Sequence, residues 1–325
     1  MSDDLDLLVS RADLDGLIRM IDAACDAAEW DLLLRIRGAA TAAVQTGRQL
    51  WPAATLAEYR TALLAPAPWA ARVIVDGAGA FALGPLTEVI AQHHTWADLA
   101  PHLVPGPARA FVAHERVLRG EIIDADAVDP VLDLPLGLEQ WEPAYALAVY
   151  KPNDARFDPP VLPGTPGEFD LPATPEIIGD PDTDEAVRTL LEPWTAASNG
   201  RVEVVTVEGD HLGAIAALGP RRARVSTLTT AEAVSWLGWA GASGGAHGRR
   251  RGGATGRFGA WWTIAALAGM TDAWPLEPDE LGELAQALQW YWWDAFEPGL
   301  GWQLQLAVCD PEEGLGWAIR AQDLA

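Results

Sequence analysis

Between residues 12 and 120, apolar side chains recur at the three- and four-residue spacing of helices, and proline or glycine interrupts each run before it grows long. Leu14, Leu17, Ile18, Ile21, Cys25 and Ala28 form one such stripe; Leu33, Ile36, Ala40 and Val44 form the next, which should end at Gly47. Further helices are predicted over 53–64, 69–75, 86–93, 96–103 and 108–118, separated by Pro52, Pro66, Pro68, Pro85, Pro101, Pro105 and Pro107. A short amphipathic helix cannot bury its stripe alone, so this stretch must fold as helices packed on one another, an irregular bundle or a helical stack. The absence of a fixed-period repeat favours the bundle.

From 121 to 199 the composition changes. Half of the chain's 24 prolines lie between Pro130 and Pro193, and acidic residues greatly outnumber Lys151, Arg156 and Arg188. This reads as an acidic, Pro-rich connector partly packed on its neighbours, with Trp141, Tyr145, Leu147 and Tyr150 as packing residues, a short strand at 146–150, and a surface loop over 153–184.

After Asn199-Gly200 the hydrophobic period shortens toward that of strands. Segments 201–207 and 212–218, separated by Glu208-Gly209-Asp210, predict a hairpin, and 223–228 a third strand. Helices are expected from Thr229 or Thr230 through Ala240, from Phe258 to Gly269, and over 278–296, followed by strands at 302–308 and 315–321. The whole is α+β: a multi-helix domain at 1–120, the connector at 121–199, and a domain at 200–325 with a mainly antiparallel sheet and three helices.

The net charge of -24 and a pI near 4.4 oppose whole-surface binding to nucleic acid or anionic lipid, because the mean field repels phosphate. No apolar run approaches the roughly 18 residues of a membrane span, and the N-terminal residues lack the charged and apolar regions of a signal peptide. With Cys25 and Cys309 as the only cysteines, a cytoplasmic protein with no membrane association is expected.

Against this acidic background, residues 244–262 concentrate positive charge and glycine: His247, Gly248, Arg249, Arg250 and Arg251 lead through Thr255 and Arg257 into a predicted helix. Arginine forks bind phosphate or carboxylate, glycine lets the backbone approach, and a helix N-terminus adds partial positive charge. The stretch is therefore the candidate ligand site, with Arg249, Arg250, Arg251 and Arg257 as anchors, His247 as a polar contact, and Gly248 and Thr255 shaping the loop. It matches neither a Walker A loop, which needs lysine before a hydroxyl residue, nor a dinucleotide fingerprint, which needs a preceding strand. The ligand expected is a phosphorylated small molecule or nucleotide. The alternative is a protein-interaction or assembly module whose arginines receive a partner's acidic groups; single-stranded or structured nucleic acid is a third reading, disfavoured by charge.

Other chemistry-bearing residues carry weaker patterns. His93, His94, His102 and Glu115 lack the His-Glu-x-x-His order of zinc hydrolases, and two cysteines cannot build a Cys-rich zinc site, so no metal site is assigned. Ser243 lies near His247 but in no nucleophile elbow, so no catalytic residue is assigned and no cofactor is named. Arg221, Arg222 and Arg224 read as a solvated strand edge. The 16 tryptophans, ten of them between Trp236 and Trp317, predict an aromatic core, with some rings edging a groove that could stack a base or sugar.

Overall fold

The computed structural model describes residues 2–162, 164–299 and 301–324. The chain forms two compact units, one of Met1–Val131 with Ala148–Arg156 and one of Leu132–Leu147 with Phe157–Ala325. The predicted connector is thus divided between the two.

The first unit is helical. Its longer helices are Ser2–Arg11, Leu14–Asp26, Trp30–Gln45, Trp51–Leu64 and Pro107–Leu118, with short turns at Ala67–Ala70, Leu86–Ile90 and Trp96–Leu99 between them. The predicted stripes are the core: Leu17, Ile21, Leu33, Ile36 and Ala40 are fully buried together. Asp13 caps the second helix by accepting from the Gly16 amide at 2.8 Å, and Thr95 and Asp98 form a reciprocal capping box. Pro52 and Pro107 sit in first turns, where a missing N–H costs nothing.

A hairpin of β1 (Val149–Lys151) and β2 (Asp154–Arg156) completes this unit. The strand predicted at 146–150 is displaced toward the turn, and its partner lies in the segment read as loop. Polar side chains hold the hairpin. Tyr59 donates its hydroxyl to the Lys151 carbonyl at 2.5 Å, Arg60 donates to the Pro152 carbonyl at 2.9 Å, and the Tyr150 hydroxyl reaches the buried Glu88 carboxylate at 2.5 Å.

The second unit contains a seven-stranded antiparallel sheet in the order β3-β6-β7-β8-β9-β5-β4, with β3 Gly167–Asp170, β4 Ile177–Ile178, β5 Arg201–Glu208, β6 Arg222–Leu228, β7 Gln289–Asp294, β8 Trp302–Asp310 and β9 Leu315–Asp323. Consecutive residues from Leu304 to Cys309 are buried, so β8 is covered on both faces, not on one as its alternation predicted. Val207, Val225, Trp293, Ala307 and Ala318 meet Ala214 and Ile215 of a helix on one side.

Three predictions are corrected here. Residues 212–218 do not pair with β5; they form the helix His211–Ala217, because Asp210 accepts from the Gly213 amide at 2.9 Å and caps it. The helix predicted over 278–296 stops at Ala287, and Gln289–Asp294 is β7. Aromatic residues fit a strand flanked by β6 and β8 better than another helical turn. The arginines before β6 are not on an edge. Arg222 pairs with Glu168 and Asp170 of β3, and Arg224 pairs with Asp294 of β7 at 2.6 Å.

Candidate functional site

The Gly/Arg stretch joins helix Thr230–Ala242 to helix Gly253–Leu267, which begins five residues before the predicted Phe258. The two helices approach closely at Gly256, where a Cβ would collide with the Gly238 carbonyl. Gly252, with φ of 95°, turns the chain into the second helix in place of a side-chain cap; Thr255 lies half-buried in its first turn.

One of the four arginines, Arg257, is neutralised by a carboxylate of the chain itself. Arg257 is 1% exposed and grips Glu142 bidentately, Nε to Oε2 at 2.7 Å and Nη2 to Oε1 at 2.6 Å. Its remaining donors go to the carbonyls of Pro135, Leu136 and Gly137 at 2.8, 3.3 and 2.6 Å. Glu142 in turn accepts from the Tyr145 hydroxyl at 2.6 Å and the Trp261 indole at 3.0 Å. Burial, and then the Glu142 charge, push the Tyr145 phenol well above its ordinary value. Arg257 therefore staples segment 135–142 to the helix from within, a correction to its expected role as a ligand anchor.

A second carboxylate, the fully buried Asp323 at the end of β9, accepts from the Ala246 amide at 2.6 Å and from Ser198 Oγ at 2.9 Å. Arg251 is also used internally: its amide donates to the Ala242 carbonyl and its Nη1 to the Thr189 carbonyl at 3.1 Å. Gly248 is packed so tightly that a Cβ would strike the carbonyls of Gly244 and Pro193. His247 and Arg249 are exposed at the surface of the loop. Arg250, half-buried, lays its guanidinium over the Phe157 ring at 3.6 Å, a cation–π contact.

That contact leads to a pocket. Phe157, Trp239 and Trp302 lie near-parallel, with Trp239 and Trp302 centroids 5.2 Å apart, and Trp236 meets Trp239 edge-on at 5.8 Å. With Trp292, these rings line a cavity of about 360 Å³ that also borders Gln303 and Gln305. The indole N–H groups of Trp236 and Trp239 are buried without an acceptor among the described residues. Gln305, 6% exposed, borders the same cavity. Buried polar groups are nearly always paired, so two indoles with unspent N–H groups in one wall set it apart from ordinary core.

The sequence pointed to the loop and to the tryptophans separately, but not to Glu142, Asp323 or Phe157. Glu142 sits among 46 acidic residues with nothing local to mark it, and its distance from Arg257 in sequence hides the pair. The loop and the pocket meet at Phe157, from the segment read as surface loop. The histidines near Glu115 do not form a metal cluster: no group of three or more His, Cys, Asp or Glu among the described residues is arranged to hold an ion. His94 instead contacts the Ala65 carbonyl at 3.0 Å, and burial lowers its imidazole below the usual 6.5. Cys25 and Cys309 are both free, and no described helix is long and apolar enough to cross a membrane.

No curated protein and no solved structure matches the chain significantly. Residues 15–324 match a family described as one of unknown function, DUF6183, over nearly the whole length, and the chain belongs to that family.

Proposed function

We propose that the second unit binds a small ring-bearing molecule in the pocket lined by Phe157, Trp236, Trp239, Trp292 and Trp302, and that the Gly/Arg loop frames this pocket. The observation that carries the reading is a cavity within the about 300–1,000 Å³ typical of ligand sites, walled by five aromatic rings and bordered by Gln303 and Gln305. Phosphate recognition by the loop loses support because Arg257 and Arg251 already serve internal acceptors. The two free thiols fit a reducing, cytoplasmic setting.

The test is thermal unfolding and tryptophan fluorescence of the full chain against a panel of ring compounds, nucleotides and inorganic phosphate. A ring compound should raise the melting temperature by mass action, and Trp292→Ala should abolish the shift while Arg249→Ala retains it. Stabilisation by phosphate or nucleotide that is lost in Arg249→Ala would return the site to the loop.

A second reading, a protein-interaction module, is favoured by one feature of the first unit. Trp51, Phe81 and Leu83, 41%, 62% and 45% exposed, border an apolar groove of about 310 Å³. A stoichiometric partner lost on Trp51→Ala and Phe81→Ala substitution would support it. Nucleic-acid binding, which must be steeply salt-dependent, is opposed by the net charge of -24.

A further inference from the structure

We infer that the ligand of the tryptophan-lined pocket is an uncharged carbohydrate, a mono- or disaccharide that stacks on the indoles and spends its hydroxyls on Gln305 and the neighbouring polar groups. The inference rests on the pocket being the binding site and assigns the chemical class of its occupant.

Charge excludes one class first. Among the described residues no Asp, Glu, Lys, Arg or His lines the cavity, and the polar side chains there besides indoles are Gln303 and Gln305. A phosphate or carboxylate seated there would lose its hydration without meeting a cation, which is the costliest kind of burial. The chain's net charge of -24 opposes the approach of such a group as well. The nearby Arg250 does not offset this, because its guanidinium is laid against the Phe157 ring that forms the wall.

Hydrogen bonding excludes a purely apolar ring. A hydrocarbon ligand would seal Gln305, already 6% exposed, in a dry site and leave its amide with neither donor nor acceptor satisfied. A glutamine amide both donates and accepts, and a hydroxyl, which donates once and accepts twice, can serve either of its ends.

Two of the rings and both amides come from different elements, which favours a ligand that offers a C–H face to one and hydroxyls to the other: Trp236 and Trp239 come from helix Thr230–Ala242, while Gln303 and Gln305 come from β8. A nucleobase presents its donors and acceptors along fixed edges of a plane. A pyranose carries hydroxyls around its circumference and C–H bonds on its face, so it can reach both elements while its face rests on an indole. The electron-rich face of an aromatic ring attracts the slightly positive C–H hydrogens, and Trp offers the largest such face. The volume of about 360 Å³ lies at the lower end of the range for small-molecule sites and suits one or two sugar rings.

The test uses the full chain, first on an array of immobilised neutral glycans and then by titration of the free sugar that binds, followed by tryptophan fluorescence and calorimetry. Its phosphorylated counterpart, adenosine, uridine and indole are titrated in parallel. The neutral sugar should bind with a change in tryptophan emission, and its phosphorylated form at least about tenfold more weakly, a difference of about 1.4 kcal/mol. Gln305→Ala should weaken the sugar about tenfold; Trp292→Ala, at a half-buried ring, should do the same and guards against a Gln305 variant that fails to fold. Unfolding midpoints of the free variants show which of them remain folded. Binding of adenosine, uridine or indole without any glycan, lost in Trp292→Ala, would overturn the carbohydrate assignment and leave the pocket as the site. A sugar that binds equally well to Trp292→Ala, or no binding by any compound, would overturn both.

Discussion

Replacing Arg257 with Met separates the internal role of this arginine from a role in ligand binding. The side chain is 1% exposed and Glu142 is similarly enclosed, with the pair joined by two bonds of 2.7 and 2.6 Å. Met conserves much of the volume but leaves the Glu142 carboxylate buried without its counter-charge, and removes the donors that serve the carbonyls of Pro135, Leu136 and Gly137. Breaking a buried pair by removing one partner costs about 3–5 kcal/mol. For a unit in the 150–250-residue class, each kcal/mol lowers the melting temperature by about 2–4 °C, so the expected fall is about 6–20 °C. The assay is calorimetric or denaturant unfolding of the wild type, Arg257→Met, Glu142→Leu and the double variant. Because the charge left unpaired in each single variant is absent from the double, the double should lose clearly less than the sum of the singles. The carbonyls, Tyr145 and Trp261 lose partners in it as well, so it should not regain wild-type stability. A loss below about 1 kcal/mol for Arg257→Met would refute the staple, since that is the range of exposed pairs. An Arg257→Met variant that unfolds normally yet no longer binds an anion would restore the ligand role.

Two further outcomes follow from the same framework. Asp323→Ala removes the acceptor of the Ala246 amide and Ser198 Oγ, so the loop should open more often, and limited trypsin digestion should cut after Arg249, Arg250 or Arg251 faster than in the wild type; an unchanged cleavage rate would show that Asp323 does not hold the loop. His94 is kept by burial below its ordinary 6.5, so the unfolded chain takes up its proton first as pH falls. Its contribution is therefore fully present above 6.5 and declines as pH drops from there toward the folded value. Denaturant midpoints at pH 7.5 and 5 should differ less in His94→Gln than in the wild type, and equal differences would refute this.

The helical unit was legible because its signal is local. Leu17, Ile21, Leu33 and Ile36 declare one face of each helix, and proline and glycine declare where the helix stops. The antiparallel sheet was legible in part for the same reason: β5, β6, β8 and β9 carry their own alternation. Two elements were misread where tertiary pairing decides between competing local preferences. The segment 212–218 carries enough apolar residues for a strand, but the Asp210 cap starts a helix instead. The aromatic run of β7 keeps a helical spacing with the residues before it, and only its neighbours β6 and β8 make it a strand. The site suffered the same way at longer range. That the Gly/Arg stretch needed a negative group could be read from charge alone, but Glu142 and Asp323 are distant in sequence and ordinary in type.

The use of the arginines bears on what the protein can recognise. With 22 Lys and Arg against 46 Asp and Glu, each ion pair cancels one charge of either sign and leaves the excess of carboxylates to set the outer field. Arg37 with Glu58, Arg119 with Glu115, Arg257 with Glu142 and Arg224 with Asp294 are all spent on the chain's own carboxylates. Such pairs contribute position more than net stability, because desolvation offsets much of their attraction. Their effect is to fix distant segments, such as 135–142 against the helix at Arg257, and to withdraw positive charge from the surface. A protein with a net charge of -24 meets anionic ligands with a repulsive mean field. The proposed site, lined by rings and amides, adds no charge of its own to this field, which is why the proposal gives it a ligand with hydrogen-bonding groups and no net charge.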